Sequence, residues 1–371
     1  MAETNLAYAP AEVSAPGQTL RDLMDERGLS QAELSRRLGR PPQAINEILA
    51  GKKEITVDTA LELERVLQVP ANFWLAREAR YREYLARQRD GQRRKAQLPW
   101  LETFPLKALQ DAGALPQGRL SVGMKEDMVD HLLRFFGVAS PDGWTGQYNS
   151  MQAQFRRARP EQQTNAAAIT AWLRMGELAA AKLATADYSA VALEAEVPAL
   201  RALTQRDASV IGTELIRRCA AVGVALVFVP ALPGTHVSGV ARWLGGKPLI
   251  QLSLLGKRND GFWFSFFHEV GHILKHPQRA VFLDDAPSGD TVLSSEEQEA
   301  NRFATDVLIP RAQQSALDHI DLTAAKVSAF AKAISVHPGV VVGQLQHRKR
   351  IGYAHPLTKL KARYVIQERG A

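Results

Sequence analysis

The chain has 371 residues, of which 46% are hydrophobic and 23% charged, with a net charge of +7. That length is too great for one ordinary core and suits two or three domains, and the composition is normal for a soluble globular protein. One cysteine, Cys219, excludes an internal disulfide framework; no stretch approaches the roughly 18 uninterrupted apolar residues of a membrane span. The first residues, "MAETNLAYAPAEVSAPGQ", lack the basic and apolar regions of a secretory signal. A cytoplasmic protein with no membrane contact is expected. The basic excess points to an anionic partner, nucleic acid being the commonest, although a solvated basic surface explains it equally well.

After a tail over residues 1–17, residues 18–88 read as short helices joined by tight turns. Leu20, Leu23 and Met24 form one apolar face, and Gly28 stops that helix. Ser30 and Glu33 have capping-box spacing before a helix lined by Ala32, Leu34 and Leu38. Gly39 allows a turn, and Pro41 and Pro42 suit the first turn of the next helix, where a missing N–H costs nothing. That helix turns Ile45, Ile48 and Leu49 inward and Gln43, Asn46 and Glu47 outward. Exposed amides suit base edges in a major groove, because Gln and Asn pair bidentately with adenine. Lys52 and Lys53 follow, placed for phosphates. Gln31 and Arg40 complete the expected set of DNA contacts. A small bundle with a polar surface is the plainer alternative. "VDTALELERVLQVPANFWLAREARYREYLARQRD" adds two helices, the last basic on one side, for DNA contact or for a dimer.

"GLSQAELSRRLG", "AINEILAGKKEIT" and "NFWLAREARYREYL" resemble the helix-turn-helix antitoxin and repressor group related to HigA, of the XRE type. The resemblance implies binding to a double-stranded operator, as a homodimer. Residues 89–100, "RDGQRRKAQLPW", read as a polar linker. Residues 101–204 read as a helical middle region, a scaffold or a recognition surface, with no cofactor motif. From about 205 to 371 a further domain is expected.

Within it the period changes. "VALVFVP", "VSGVARWL" and "KPLIQLSL" read as three strands of a small antiparallel sheet. The helix "FWFSFFHEVGHILKHP" follows. His268 and His272 are four apart, on one helical face, so both imidazoles can bind one ion. Glu269 lies beside them and can reach a water on that ion without being a ligand. This is the HExxH spacing of zinc peptidases. The surrounding aromatics bed the helix in a core. A catalytic zinc needs a third protein ligand and an open position. The class with a third histidine six residues on is excluded, because that position is Gln278 and Lys275 replaces its glycine. His276 reads as a helix C-terminal histidine favoured by the dipole. Glu299, in "SSEEQEANRFATDVLIP", adjoins an inner face of Ala300, Phe303, Ala304 and Leu308, whereas Glu296 and Glu297 read as dipole acids. By itself Glu299 reads equally as a solvated acid. Gly271 would let the second helix approach.

"FWFSFFHEVGHILKH" followed by "EEQEANRFATDVLIP" is similar to the ImmA/IrrE family of metallopeptidases. The resemblance implies a zincin-like fold, with His268, His272 and Glu299 on Zn2+ and Glu269 as the catalytic base. The tail "VSAFAKAISVHPGVVVGQLQHRKRIGY" resembles the C-terminal extension of fused members. His236, Arg242, His347 and Tyr353 are candidate oxyanion donors, and "KPLIQLSL" or "VSGVARWL" a candidate edge for an extended substrate. The expected whole is mainly α with a small sheet (α+β): a DNA-binding regulator whose zinc endopeptidase cleaves a repressor or antitoxin, in trans or in itself. The alternative is a repressor or antitoxin whose protease-like part only binds.

Overall fold

The structure is a computed structural model, which describes residues 13–118, 121–148, 165–235, 237–253, 258–276, 282–285 and 294–364. The chain divides into two compact units at Leu98/Pro99, with Lys125–Asp127 grouped with the first.

The first unit is a bundle of five helices: α1 (Pro16–Glu26), α2 (Gln31–Leu38), α3 (Pro42–Leu49), α4 (Val57–Leu67) and α5 (Ala71–Ala96). Leu20, Met24, Leu34, Ile45, Ile48, Leu63 and Trp74 share one buried core. The Ser30 side chain accepts the Glu33 N–H, and Gly39 closes α2 in the left-handed conformation that a side chain would penalise. The capping box is only half formed, because the Glu33 carboxylate is taken by Arg37 (2.8 Å) and Arg36. Ala32 is exposed rather than inward; Ser35 takes the buried place and donates to the Arg40 carbonyl. The expected linker at 89–100 is helical as far as Ala96. A helix polar on all sides carries no apolar stripe and so reads as loop; it is supported by pairs such as Arg94–Asp90 (3.3 Å) and Arg87–Glu83 (2.6 Å), one turn apart.

The division falls within α6 (Leu98–Leu101), and the chain continues through α7 (Leu106–Asp111), α8 (Val122–Phe136), α9 (described at 141–148), α10 (Ala166–Ala180), α11 (Ala190–Ala202) and α12 (Ala208–Ala221). A sheet of β1 (Ala225–Phe228), β2 (Val237–Leu244), β3 (Lys247–Leu252) and β4 (Phe282–Asp285) follows, in the order β1-β3-β2-β4. Gly245 and Gly246, both at positive φ, close the β2–β3 hairpin. β1 passes over β2 to pair with β3 in parallel, so the sheet is mixed rather than wholly antiparallel. β4 adds a fourth strand antiparallel to β2. Both strands proposed as substrate edges, β2 and β3, are therefore interior, and the described edges are β1 and β4.

The two faces of the sheet have separate partners. Ala241, Ile250 and Leu252 pack with Phe262, Phe266 and Val270 of α13 (Asn259–Lys275). On the other face Gln251 donates to the Trp172 carbonyl of α10 (2.7 Å). Gly176 makes room for it, since a Cβ there would lie 1.8 Å from Gln251 Oε1. Part of the middle region thus serves as scaffold. Cys219 is buried in the same core, where desolvation pushes its thiol up to about 12, as suits packing and not a nucleophile. The helices α14 (Ser295–Leu308), α15 (Arg311–Asp318), α16 (Ala324–Ala333) and α17 (Pro338–His347) complete the unit. The tail braces α13: Asn259 accepts from the Ala362 N–H (3.2 Å), and Trp263 donates to the Tyr364 hydroxyl (3.0 Å). No described helix is long and apolar enough to cross a membrane.

Candidate metal centre

The centre lies where α13 meets α14. Gly271 faces α14, and a Cβ on it would stand 3.2 Å from Ala300 Cα and 3.1 Å from the Phe303 ring. Its hydrogen permits this close crossing. His268 and His272 turn towards α14 from the same side of α13. Both are buried, and their Nε2 atoms face each other at 2.9 Å.

The carboxylate that closes the cluster is Glu297, which corrects the expectation for Glu299. Glu297 lies 3.2 Å from His268 Nε2 and 3.4 Å from His272 Nε2. Glu299, two residues on and 58% exposed, instead meets His276 Nε2 at 3.3 Å. The reason is the helix phase. Counting back from the buried Ala304 and Ala300 by three or four residues reaches 297, whereas 299 points some 160° away from 297 around the axis. Glu297 also keeps its place in the first turn, its N–H donating to the Ser294 cap (3.2 Å).

His268, His272 and Glu297 form the one group among the described residues that could hold a metal ion. A tetrahedral ion with ligands about 2.0–2.1 Å away separates its ligand atoms by about 3.3 Å; here the two Nε2 atoms stand 2.9 Å apart, with one Glu297 oxygen 3.2 Å from that of His268 and the other 3.4 Å from that of His272. Burial pushes the His272 pKa down, which favours the neutral ring a metal requires. For Glu297 burial acts upward, but hydrogen bonds with His268 and His272 outweigh it and hold the carboxyl at about 2. The donor set is that of a divalent ion of intermediate softness. Asn301, not foreseen from the sequence, is placed one turn beyond Glu297. Its Oδ1 is 3.0 Å from His268 Nδ1, so an N–H there leaves Nε2 open towards the cluster.

Glu269 is fully buried one position around α13, against the sheet. A Cβ on Gly239 of β2 would come within 2.6 Å of its Oε1, so this glycine makes the space for the carboxylate. The other expected residues divide. Arg242 is 2% exposed on the α10 face of the sheet, where it pairs with Glu177 (2.7 Å), so the expected oxyanion role has no support there. His236 lies outside the described residues. Tyr353 is 81% exposed. His347 sits one ring away from the cluster: Phe264 lies 6.2 Å from it and 6.3 Å from His268.

In the first unit Gln43, Asn46, Lys52 and Lys53 are exposed together along α3 and the turn after it. Gln31 donates to the Pro42 carbonyl (3.3 Å), spanning the turn between α2 and α3. Arg40 is held by Glu62 of α4 through two contacts, one of 3.2 Å, so its guanidinium is engaged within the unit and the expected DNA contact has no support there.

These features define a protein in which a helix-turn-helix unit precedes an α+β unit with a His-Glu cluster between its HExxH helix and α14. Comparison with known families agrees: residues 20–74 match the helix-turn-helix family and residues 226–348 the IrrE N-terminal-like domain. Similar solved structures include an addiction module antidote protein of the HigA family from Coxiella burnetii, 28% identical over 23% of this chain and 94% of that one (TM-score 0.21). The Pseudomonas aeruginosa antitoxin HigA with the higBA promoter is 28% identical over 22% and 90% (TM-score 0.21). Antitoxin GraA is 31% identical over 22% and 89% (TM-score 0.22). No curated protein matches the chain.

Proposed function

We propose that the chain is a DNA-binding regulator that carries a zinc-dependent endopeptidase acting on a repressor or antitoxin. The observation that supports the hydrolytic half is the triangle of buried His268 and His272 with half-buried Glu297, and buried Glu269 beside it. Zinc, when bound, acidifies a water and polarises the scissile carbonyl. The two histidines and Glu297 would hold the ion. Glu269, not needed for holding it, takes the proton from the attacking water and delivers it to the leaving amine. Packing of Phe262, Trp263, Phe266 and Phe267 fixes the helix that carries these groups.

Metal removal tests this reading. Stripping the purified chain with a chelator should abolish cleavage of the repressor or antitoxin encoded beside it, or of the chain itself. One equivalent of zinc should restore the cut. Cleavage that survives complete removal of metal would refute the reading.

The DNA half rests on the exposed amides of α3 and the lysines after it. Gln43→Ala together with Asn46→Ala should lower affinity for the operator relative to random duplex by about 30-fold or more, two lost bidentate pairs at about 1–3 kcal/mol each amounting to about 2–6 kcal/mol of discrimination. Fluorescence anisotropy with the two duplexes at one salt concentration measures it. Undiminished discrimination would show that α3 does not read bases. Dimer formation follows from the two-fold symmetry of such operators.

A further inference from the structure

His276 is the first residue after α13 and reads as an end-of-helix histidine. In the structure it is buried, and its Nδ1 lies 2.9 Å from Nδ1 of His272. Its Nε2 faces Glu299 Oε2 at 3.3 Å. Two ring nitrogens at that separation share one hydrogen, and which ring carries it decides what His272 can do. If His272 bears the hydrogen on Nδ1, its Nε2 has a lone pair turned to His268 and Glu297. If His276 donates instead, a neutral His272 carries its hydrogen on Nε2 and cannot ligate through it. Glu299 selects between these arrangements. A carboxylate accepts, so it favours a hydrogen on His276 Nε2; a neutral His276 then has Nδ1 free to accept from His272.

We propose that His276, oriented by Glu299, is a positioning residue that fixes His272 in the form able to bind the ion. This rests on the zinc reading above and deepens it. Glu299, taken from the sequence as a ligand, thus acts two rings away from the ion. Asn301 plays the matching part for His268.

The test is zinc affinity of the full chain, measured by competition with a chromophoric chelator, for the unaltered chain and for His276→Phe, His276→Leu and His276→Asn. Phe and Leu fill the space but offer no acceptor. Asn is smaller, yet its Oδ1 occupies about the position of Nδ1 and accepts from His272. The proposal expects zinc binding weakened about 10- to 100-fold in the Phe and Leu variants, the range for lost outer partners, and within about threefold of the unaltered chain for Asn. A role in packing alone gives the opposite order, with the void left by Asn the most harmful. Should Phe fail to fold, Leu and Asn still decide the order. Tight binding by a folded Phe or Leu variant, or an Asn variant as weak as they are, overturns the proposal. Absence of zinc binding by the unaltered chain overturns both this proposal and the function it rests on, so the two failures are read from different samples.

Discussion

Glu269→Gln should leave zinc content unchanged and slow cleavage by about 10²- to 10⁴-fold, the usual worth of a positioned general base. That loss corresponds to roughly 3–5 kcal/mol of barrier. Gln has the same shape as Glu, so the space opposite Gly239 still accommodates it, and the triangle of His268, His272 and Glu297 is untouched. What disappears is the ability to take a proton. The change separates the two roles that the helix combines, since ligands hold and the base transfers. Retained zinc with lost cleavage, measured by metal analysis and by gel assay of the natural substrate, is the expected pair. Unimpaired cleavage would remove Glu269 from the mechanism. A chain that cleaves nothing in either form, while holding zinc and DNA, would fit the alternative of a domain that only binds.

Much of this was legible in the sequence because the chemistry is local. His268, Glu269 and His272 lie on one turn of one helix, so their relation follows from the rise and pitch of the helix alone. The close approach allowed by Gly271 was legible for the same reason: a residue without a side chain in a helix of bulky ones marks a crossing. The third carboxylate was not read correctly. Three acids lie at 296, 297 and 299, and Phe303 drew the inner face one step around. Phe303 is only partly buried, whereas Ala300 and Ala304 are fully buried and set the true phase. Small residues mark a close helix contact better than a large one, which can reach inward from the flank. Asn301 and Gly239 escaped because their significance depends on a partner element. The sheet was read as three antiparallel strands because nothing local shows that β1 skips its neighbour. The polar last turns of α5, read as a linker from residue 89, escaped since they lack an apolar stripe.

Which carboxylate holds the ion decides the identity of the centre. The direct measurement is zinc titration, by chelator competition, of Glu297→Ala beside Glu299→Ala. Glu297 meets both imidazole nitrogens, and its removal deletes one of three protein ligands; affinity should fall by well over the roughly 100-fold that an outer partner commands. Glu299 reaches the site only through His276 and is largely exposed, so its removal should weaken binding by less than about tenfold. One equivalent bound by the unaltered chain, lost with Glu297 and largely kept without Glu299, is the result predicted here. Full binding without Glu297, or its loss with Glu299 alone, would contradict the proposed centre.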